Sequence, residues 1–404
     1  LRLTAFIIYH SPFTIKISHS SFTINLNMKL TILSCSFFLL YTIDAHSSEV
    51  PTPPPITAYA YLLQDFHSGE NIMAQNIDQQ VEIASLTKLM TAYIVFQKLR
   101  AGKIALSDRA RISEKAWRIS GSRMYLEVES SVTVEELLKG MIIQSGNDAS
   151  IALAEFIAGT EQAFVSLMNA QAQEMGLKNT RYANSTGLPE EHHYSSARDL
   201  SLMAKILIRE FPEYYKWYSE REYTHNNITQ HNRNRLLWHD STVDGMKTGY
   251  TDKAGYCLIA SAKRGNMRLI SIIIGAKTEK TRIQESAKML DYGFRFFETF
   301  PLYQAQKPLD TEKVWYGGTP HQVQLGLEET LYVTIPKGKY KQLSASLHID
   351  KHIIAPVTAG KTYGILKISL NNQPITQLPL VALSSVDTGH LGVRLIDSFL
   401  LLFY

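Results

Sequence analysis

Two stretches of strand-like alternation enclose a block of helical periods in this chain, and that order constrains its fold more than any other feature. Ala58 to Phe66 and Asn71 to Ala74, joined by His67-Ser68-Gly69-Glu70, predict one β-hairpin; Tyr256 to Lys263 and Met267 to Ile274, joined by Arg264-Gly265-Asn266, predict a second, rich in β-branched residues. Between them the punctuation is helical. Leu86 to Leu99 is apolar enough for a buried helix, and Thr133-Val134-Glu135-Glu136 is a capping-box pattern opening another that ends before Ser145. Asn147 or Asp148 can cap a helix ending at Gly159. Phe164, Leu167, Met168 and Met175 carry the next, and Ser196-Ala197-Arg198-Asp199 starts one that runs to Phe211-Pro212. A last helix spans about Glu279 to Glu298. The arrangement predicts one sheet that receives both ends of the domain, with helices packed on it, an α+β architecture.

At 404 residues and 45% hydrophobic, the chain has room for this domain and a second, smaller one. Five segments are expected: an N-terminal extension and signal peptide over 1–45, a Pro-rich leader over 46–56, the main domain over 57–300, a β-rich domain over 301–385 and a terminal helix over 386–404. The export signal is read from Met28-Lys29, the apolar run Leu30 to Ile43 and the small Ala45; the run is shorter than the roughly 20 residues a membrane span needs. Residues 1–27 contain no methionine and are read as an overextended start, outside the fold. Pro51-Thr52-Pro53-Pro54-Pro55 is a stiff leader.

The β-rich segment is read from Leu331 to Ile335, Leu343 to Ile349, Thr362 to Leu370 and Ile375 to Val381. In the tail, Leu391, Leu395, Ile396, Phe399, Leu400, Leu402 and Phe403 share a broad helical face opposite Arg394 and Asp397. That pattern fits an amphipathic helix lying in a membrane surface, with a helix docked on the protein's own core as the alternative.

The net charge of +4 is spread without a run of five like charges, which gives nucleic-acid binding little support. Only Cys35 and Cys257 occur, too few for a disulfide framework or a cysteine zinc site. The pair His192-His193, following Glu190-Glu191, reads as a solvated loop rather than a metal site, and no cofactor is indicated.

Three short fragments carry the chemistry. Ser85 and Lys88 form the single Ser-x-x-Lys of the chain; residues three apart on a helix have Cβ atoms about 5–6 Å apart, so the amine reaches the hydroxyl. A desolvated lysine can turn a serine into a nucleophile. Ser145-Gly146-Asn147 and Lys247-Thr248-Gly249 follow in order. Each fragment alone is cheap, as Ser369-Leu370-Asn371 inside a predicted strand illustrates, but these three fall at the start of a buried helix, a helix junction and the entrance to a core strand.

In these motifs, and in Asn147-Asp148-Ala149-Ser150, Val243-Asp244-Gly245-Met246 and Gly293-Phe294-Arg295-Phe296-Phe297-Glu298-Thr299, the chain resembles the low-molecular-mass penicillin-binding proteins of the type-5 kind, the D-alanyl-D-alanine carboxypeptidases. The likeness covers essentially all of 57–385. It implies a penicillin-recognising serine transpeptidase/β-lactamase-like domain followed by a small β-rich domain. It further implies that Ser85 is acylated by a peptide ending in D-Ala-D-Ala, that Lys88 is the general base and that Ser145 relays a proton. Asn147 then holds substrate and Lys88, Lys247 supplies fixed positive charge, Thr248 binds the terminal carboxylate, and Gly249 lets substrate approach the strand. The amides of Ser85 and Tyr250 form the oxyanion hole, and Arg233 and Arg282 orient the carboxylate end. Burial and the Lys247 charge are both expected to lower the Lys88 pKa. Implied partners are peptidoglycan stem peptides, β-lactams and the periplasmic face of the inner membrane, with a homodimer left open.

A class A β-lactamase would have Asp as the middle residue of the second motif and a Glu-x-x-Leu-Asn element; here Gly146 stands in the middle and no such element lies between it and Lys247. A non-catalytic peptidoglycan-binding scaffold is the alternative from a different class.

Overall fold

The computed structural model describes residues 15–18 and 50–403, so the predicted export signal lies outside the described residues. Two compact units are present, Thr52–Thr299 and a second running from Phe300 onward that includes Ile15–Ser18.

The first unit is built on a five-stranded sheet in the order Asn71–Gln75, Ala60–Asp65, Met267–Ala276, Gly255–Arg264, Val243–Thr251. The two predicted hairpins meet at its centre, where Ile272 pairs antiparallel with Leu62 on one side and Ile259 on the other. Cys257 to Ala262 and Leu269 to Ile274 are buried without interruption because helices cover both faces. Successive strand residues point to opposite faces. Accordingly, Gly293 of the helix Glu279–Phe296 packs on Leu63 and Leu269, while Ser201 of the helix Ala197–Glu210 donates from Oγ to Gln64 Oε1 at 2.7 Å. Leu62, Leu63, Ile270, Ile272 and Phe96 are fully buried, and each such side chain contributes about 1.5–3 kcal/mol.

The helix signals act locally. Thr133 and Glu136 form a reciprocal capping box, and Ser196 and Thr278 each accept from the amide three residues on. The helix Asn147–Ala158 departs from expectation: neither Asn147 nor Asp148 caps it, and Gly146 occupies the N-cap without a side-chain bond. Both side chains are engaged elsewhere, as described below. The helix Lys88–Arg100 is buried all round from Lys88 to Phe96, a central core helix.

The second unit holds a seven-stranded sheet in the order Ile15–Ser18, Leu343–Ile349, Thr362–Leu370, Gln373–Ala382, Gln322–Gly326, Pro308–Trp315, Ile353–Ile354. Ile15–Ser18, set aside in the sequence reading, pairs in parallel with Ala345 to His348. Pro308–Trp315 and Gln322–Gly326 were not expected as strands; Asp310, Glu312, Lys313 and two glutamines interrupt their apolar alternation.

The terminal helix is Leu391–Leu400. Its polar side faces the protein: buried Asp397 accepts from the Tyr316 amide at 2.6 Å and from Lys313 Nζ at 3.2 Å. Leu391, Leu395, Ile396, Phe399, Leu402 and Phe403 are all more than 60% exposed. Among the described residues no single helix is long and apolar enough to cross a membrane.

Candidate active site

Ser85 sits, partly exposed, in the 3₁₀ turn Ala84–Thr87, which runs directly into the helix Lys88–Arg100. The turn is entered through Ala84 at φ 48°, a left-handed conformation that costs a residue with a β-carbon about 1–2 kcal/mol. Thr87 Oγ1 donates to the Ala84 carbonyl at 2.9 Å. Gly187 lies against the same carbonyl; a β-carbon there would stand 1.9 Å from Ala84 O.

Lys88 Nζ lies 2.9 Å from Ser85 Oγ, 2.7 Å from Asn147 Oδ1 and 2.6 Å from Thr186 O. Asn147 Oδ1 and Thr186 O can only accept, so they take N–H bonds; Ser85 can donate to a nitrogen lone pair. A neutral amine therefore satisfies all three contacts. Burial pulls the Lys88 amine down to about 7, against the attraction of Asp148. Burial first, then the charges of Lys88, Arg282 and Arg233, holds Lys247 well below the usual lysine range.

The second fragment closes a π-helical turn, Gly140–Gln144, and Ser145 follows it at φ 67°. Gly146 is required by crowding, since a β-carbon there would meet Asp148 Oδ1 at 2.8 Å. Asp148 accepts from the amides of Met124 at 3.0 Å and Leu126 at 3.2 Å, and Asn147 Nδ2 donates to Ser120 O at 2.7 Å. These bonds tie the 120–126 segment to the helix that carries the motif.

The third fragment lies on Val243–Thr251, one of the two edge strands of the sheet. Lys247 Nζ donates to Ser145 Oγ at 2.9 Å and is buried, as is Thr248. A β-carbon on Gly249 would come within 2.9 Å of Ile83 O and 3.2 Å of Ser85 N, so glycine lets the strand approach the turn that carries Ser85.

Two hydrogen-bonded groups thus form, Ser85 with Lys88 and Asn147, and Ser145 with Lys247, and the adjacency of Ser145 and Asn147 in the chain brings them together. The remaining expected residues stand around them. Arg282 is buried beside the strand, donating from Nη1 to Gly249 O at 3.3 Å and from Nη2 to Glu279 at 3.0 Å. Arg233 is exposed, and its charge bears on Lys247. The Tyr250 hydroxyl donates to Asp252 Oδ1 at 2.8 Å. Sequence reasoning missed the Thr186 carbonyl, the bracing role of Asp148 and His193. The reading of His192-His193 as a solvated pair is corrected for His193, which is 4% exposed. Only burial separates the two rings, and no local pattern signals it.

The family model described as D-alanyl-D-alanine carboxypeptidase matches residues 47–278, and that of the penicillin-binding protein 5 C-terminal domain matches residues 297–388. D-alanyl-D-alanine carboxypeptidase DacC of Escherichia coli is 42% identical over 378 residues, 91% of this chain and 94% of that protein. DacA of Haemophilus influenzae is 42% identical over 375 residues, 90% and 94% respectively. Among solved structures, penicillin binding protein 5 from Haemophilus influenzae has a TM-score of 0.81 at 44% identity, covering 83% of this chain and 99% of that one. Penicillin-Binding Protein D2 from Listeria monocytogenes, in an ampicillin-bound form, has a TM-score of 0.56 at 30% identity, covering 60% and 98%.

Proposed function

The chain belongs to the D-alanyl-D-alanine carboxypeptidase family, and we propose that it works as a serine-type hydrolase, removing the terminal D-alanine from peptidoglycan stem pentapeptides through an acyl-enzyme on Ser85. Ser85 Oγ attacks the carbonyl between the two D-alanines as its proton passes to the Lys88 lone pair. The developing oxyanion is held by the amides of Ser85 and Tyr250. The C–N bond breaks, and the leaving amine takes a proton relayed through Ser145. Water then attacks the ester, releasing the shortened peptide and restoring Ser85. A β-lactam enters the same path, its ring C–N bond opening as Ser85 is acylated.

The observation that carries this reading is the bonding of Lys88 Nζ, whose two acceptor-only partners leave its lone pair for Ser85. The depressed pKa of Lys247 gives that residue its role. An arriving carboxylate favours the charged amine, so Lys247, Thr248 and the flanking Arg233 and Arg282 recognise the substrate terminus. Incubating the protein with a peptide ending in D-Ala-D-Ala tests the reading. Mass spectrometry should show loss of one alanine; an intact peptide beside folded protein overturns it and favours a peptidoglycan-binding scaffold.

The outward apolar face of Leu391–Leu400 supports attachment to a membrane surface, because Asp397 holds the polar side against the protein. Together with the export signal read at Met28 to Ala45, this supports a location on the periplasmic face of the inner membrane.

A further inference from the structure

His193 Nδ1 accepts the Ala183 N–H at 3.1 Å, and its Nε2 lies 2.7 Å from Thr87 Oγ1. An atom that accepts an amide N–H carries no proton, so the neutral ring has its hydrogen on Nε2 and donates it to Thr87. Thr87 in turn spends its hydroxyl proton on Ala84 O. The chain Ala183 N–H, His193, Thr87, Ala84 O therefore runs in one direction with each donor and acceptor used once. It links the two segments that position the Ser85 and Lys88 pair. At one end is the left-handed Ala84, immediately before Ser85; at the other is the 183–188 segment, whose Thr186 carbonyl receives Lys88 Nζ.

We infer that His193 is a positioning residue for acylation, fixing the nucleophile turn to the 183–188 segment as a neutral ring protonated on Nε2. The inference rests on the acyl-enzyme reading of Ser85. A second proton on Nδ1 would face the Ala183 N–H donor to donor and break the link. The surroundings oppose that proton: burial holds the ring down to about 4, the Lys88 charge adds to the depression, and Glu82 works against it. Of the other titratable groups nearby, Tyr182 presents its ring edge-on at 5.9 Å and Lys253 is paired with Glu82 at 2.8 Å. His192, 61% exposed, pairs with Glu191 and takes no part in the link.

The test is acylation by a fluorescent penicillin, separating the rate constant of the chemical step from the affinity of the preceding complex. H193A should slow the chemical step about tenfold or more, with little change in that affinity. H193Q, whose amide offers one acceptor and one donor, should recover most of the rate. T87V should match H193A, and the double variant should lose no more than either single one, as expected for residues in one link. Should H193A fail to fold, T87V and H193Q carry the comparison. Nitrogen-15 spectra of the wild type should show the Nε2–H tautomer throughout pH 5 to 9. Wild-type acylation rates in H193A and T87V, or an Nδ1–H tautomer, overturn the inference. A wild-type protein that no penicillin labels overturns the acyl-enzyme reading itself and this inference with it.

Discussion

Lys247 Nζ bonds Ser145 Oγ at 2.9 Å although the two residues are 102 positions apart, joining the edge strand to the helical block across the site. Burial and neighbouring cations hold the Lys247 amine well below the usual lysine range, and an anionic substrate terminus favours its charged form. K247A should lower the second-order rate of penicillin acylation by about a hundredfold, the scale of losing one partner of a buried charge pair. A stopped-flow or gel-based rate within threefold of wild type would contradict this.

The base must be neutral to accept the serine proton, and Lys88 is held to about 7 by burial. The acylation rate should therefore rise as pH increases through about 7 and level off above it. K88R, whose guanidinium stays protonated, should lose at least about a thousandfold at every pH. A pH-independent wild-type rate between pH 5 and 9 would remove Lys88 from the role of base.

Gly187 combines φ +85° with the contact to Ala84 O. G187A adds backbone strain and a clash with a main-chain oxygen, and should destabilise the protein by about 3 kcal/mol or displace the nucleophile turn. Thermal unfolding and penicillin labelling together read both outcomes; a variant with unchanged melting and labelling rate would show that this contact is slack.

Deleting the chain from Leu391 onward removes the exposed apolar face and, at Asp397, a contact within the second unit. The truncated protein should leave the membrane fraction while keeping its acylation rate within about twofold. Unchanged sedimentation with membranes would defeat the surface-anchor reading.

What the sequence made legible is what local chemistry determines. The Thr133 capping box, the Ser196 cap and the two predicted hairpins form where residue pattern alone places them. So does the spacing that brings Lys88 to Ser85. Features that depend on packing were hidden. Asp148 looks like a helix cap and instead braces the amides of Met124 and Leu126. His193 sits beside an exposed histidine in a polar run, and its burial follows from the docking of a distant turn. The Lys88 and Lys247 pair was recognisable, but the charges of Arg282 and Arg233 that also bear on Lys247 come from distant parts of the chain.

In the proposed reaction Ser85 carries the acyl group with Lys88 as its base. The direct measurement is to incubate the protein with a penicillin, digest it and locate the added mass by tandem mass spectrometry. One whole penicillin should be found on the peptide at Ser85, absent in S85A and formed far more slowly in K88A. Label on another residue, or none on folded wild-type protein, would contradict it.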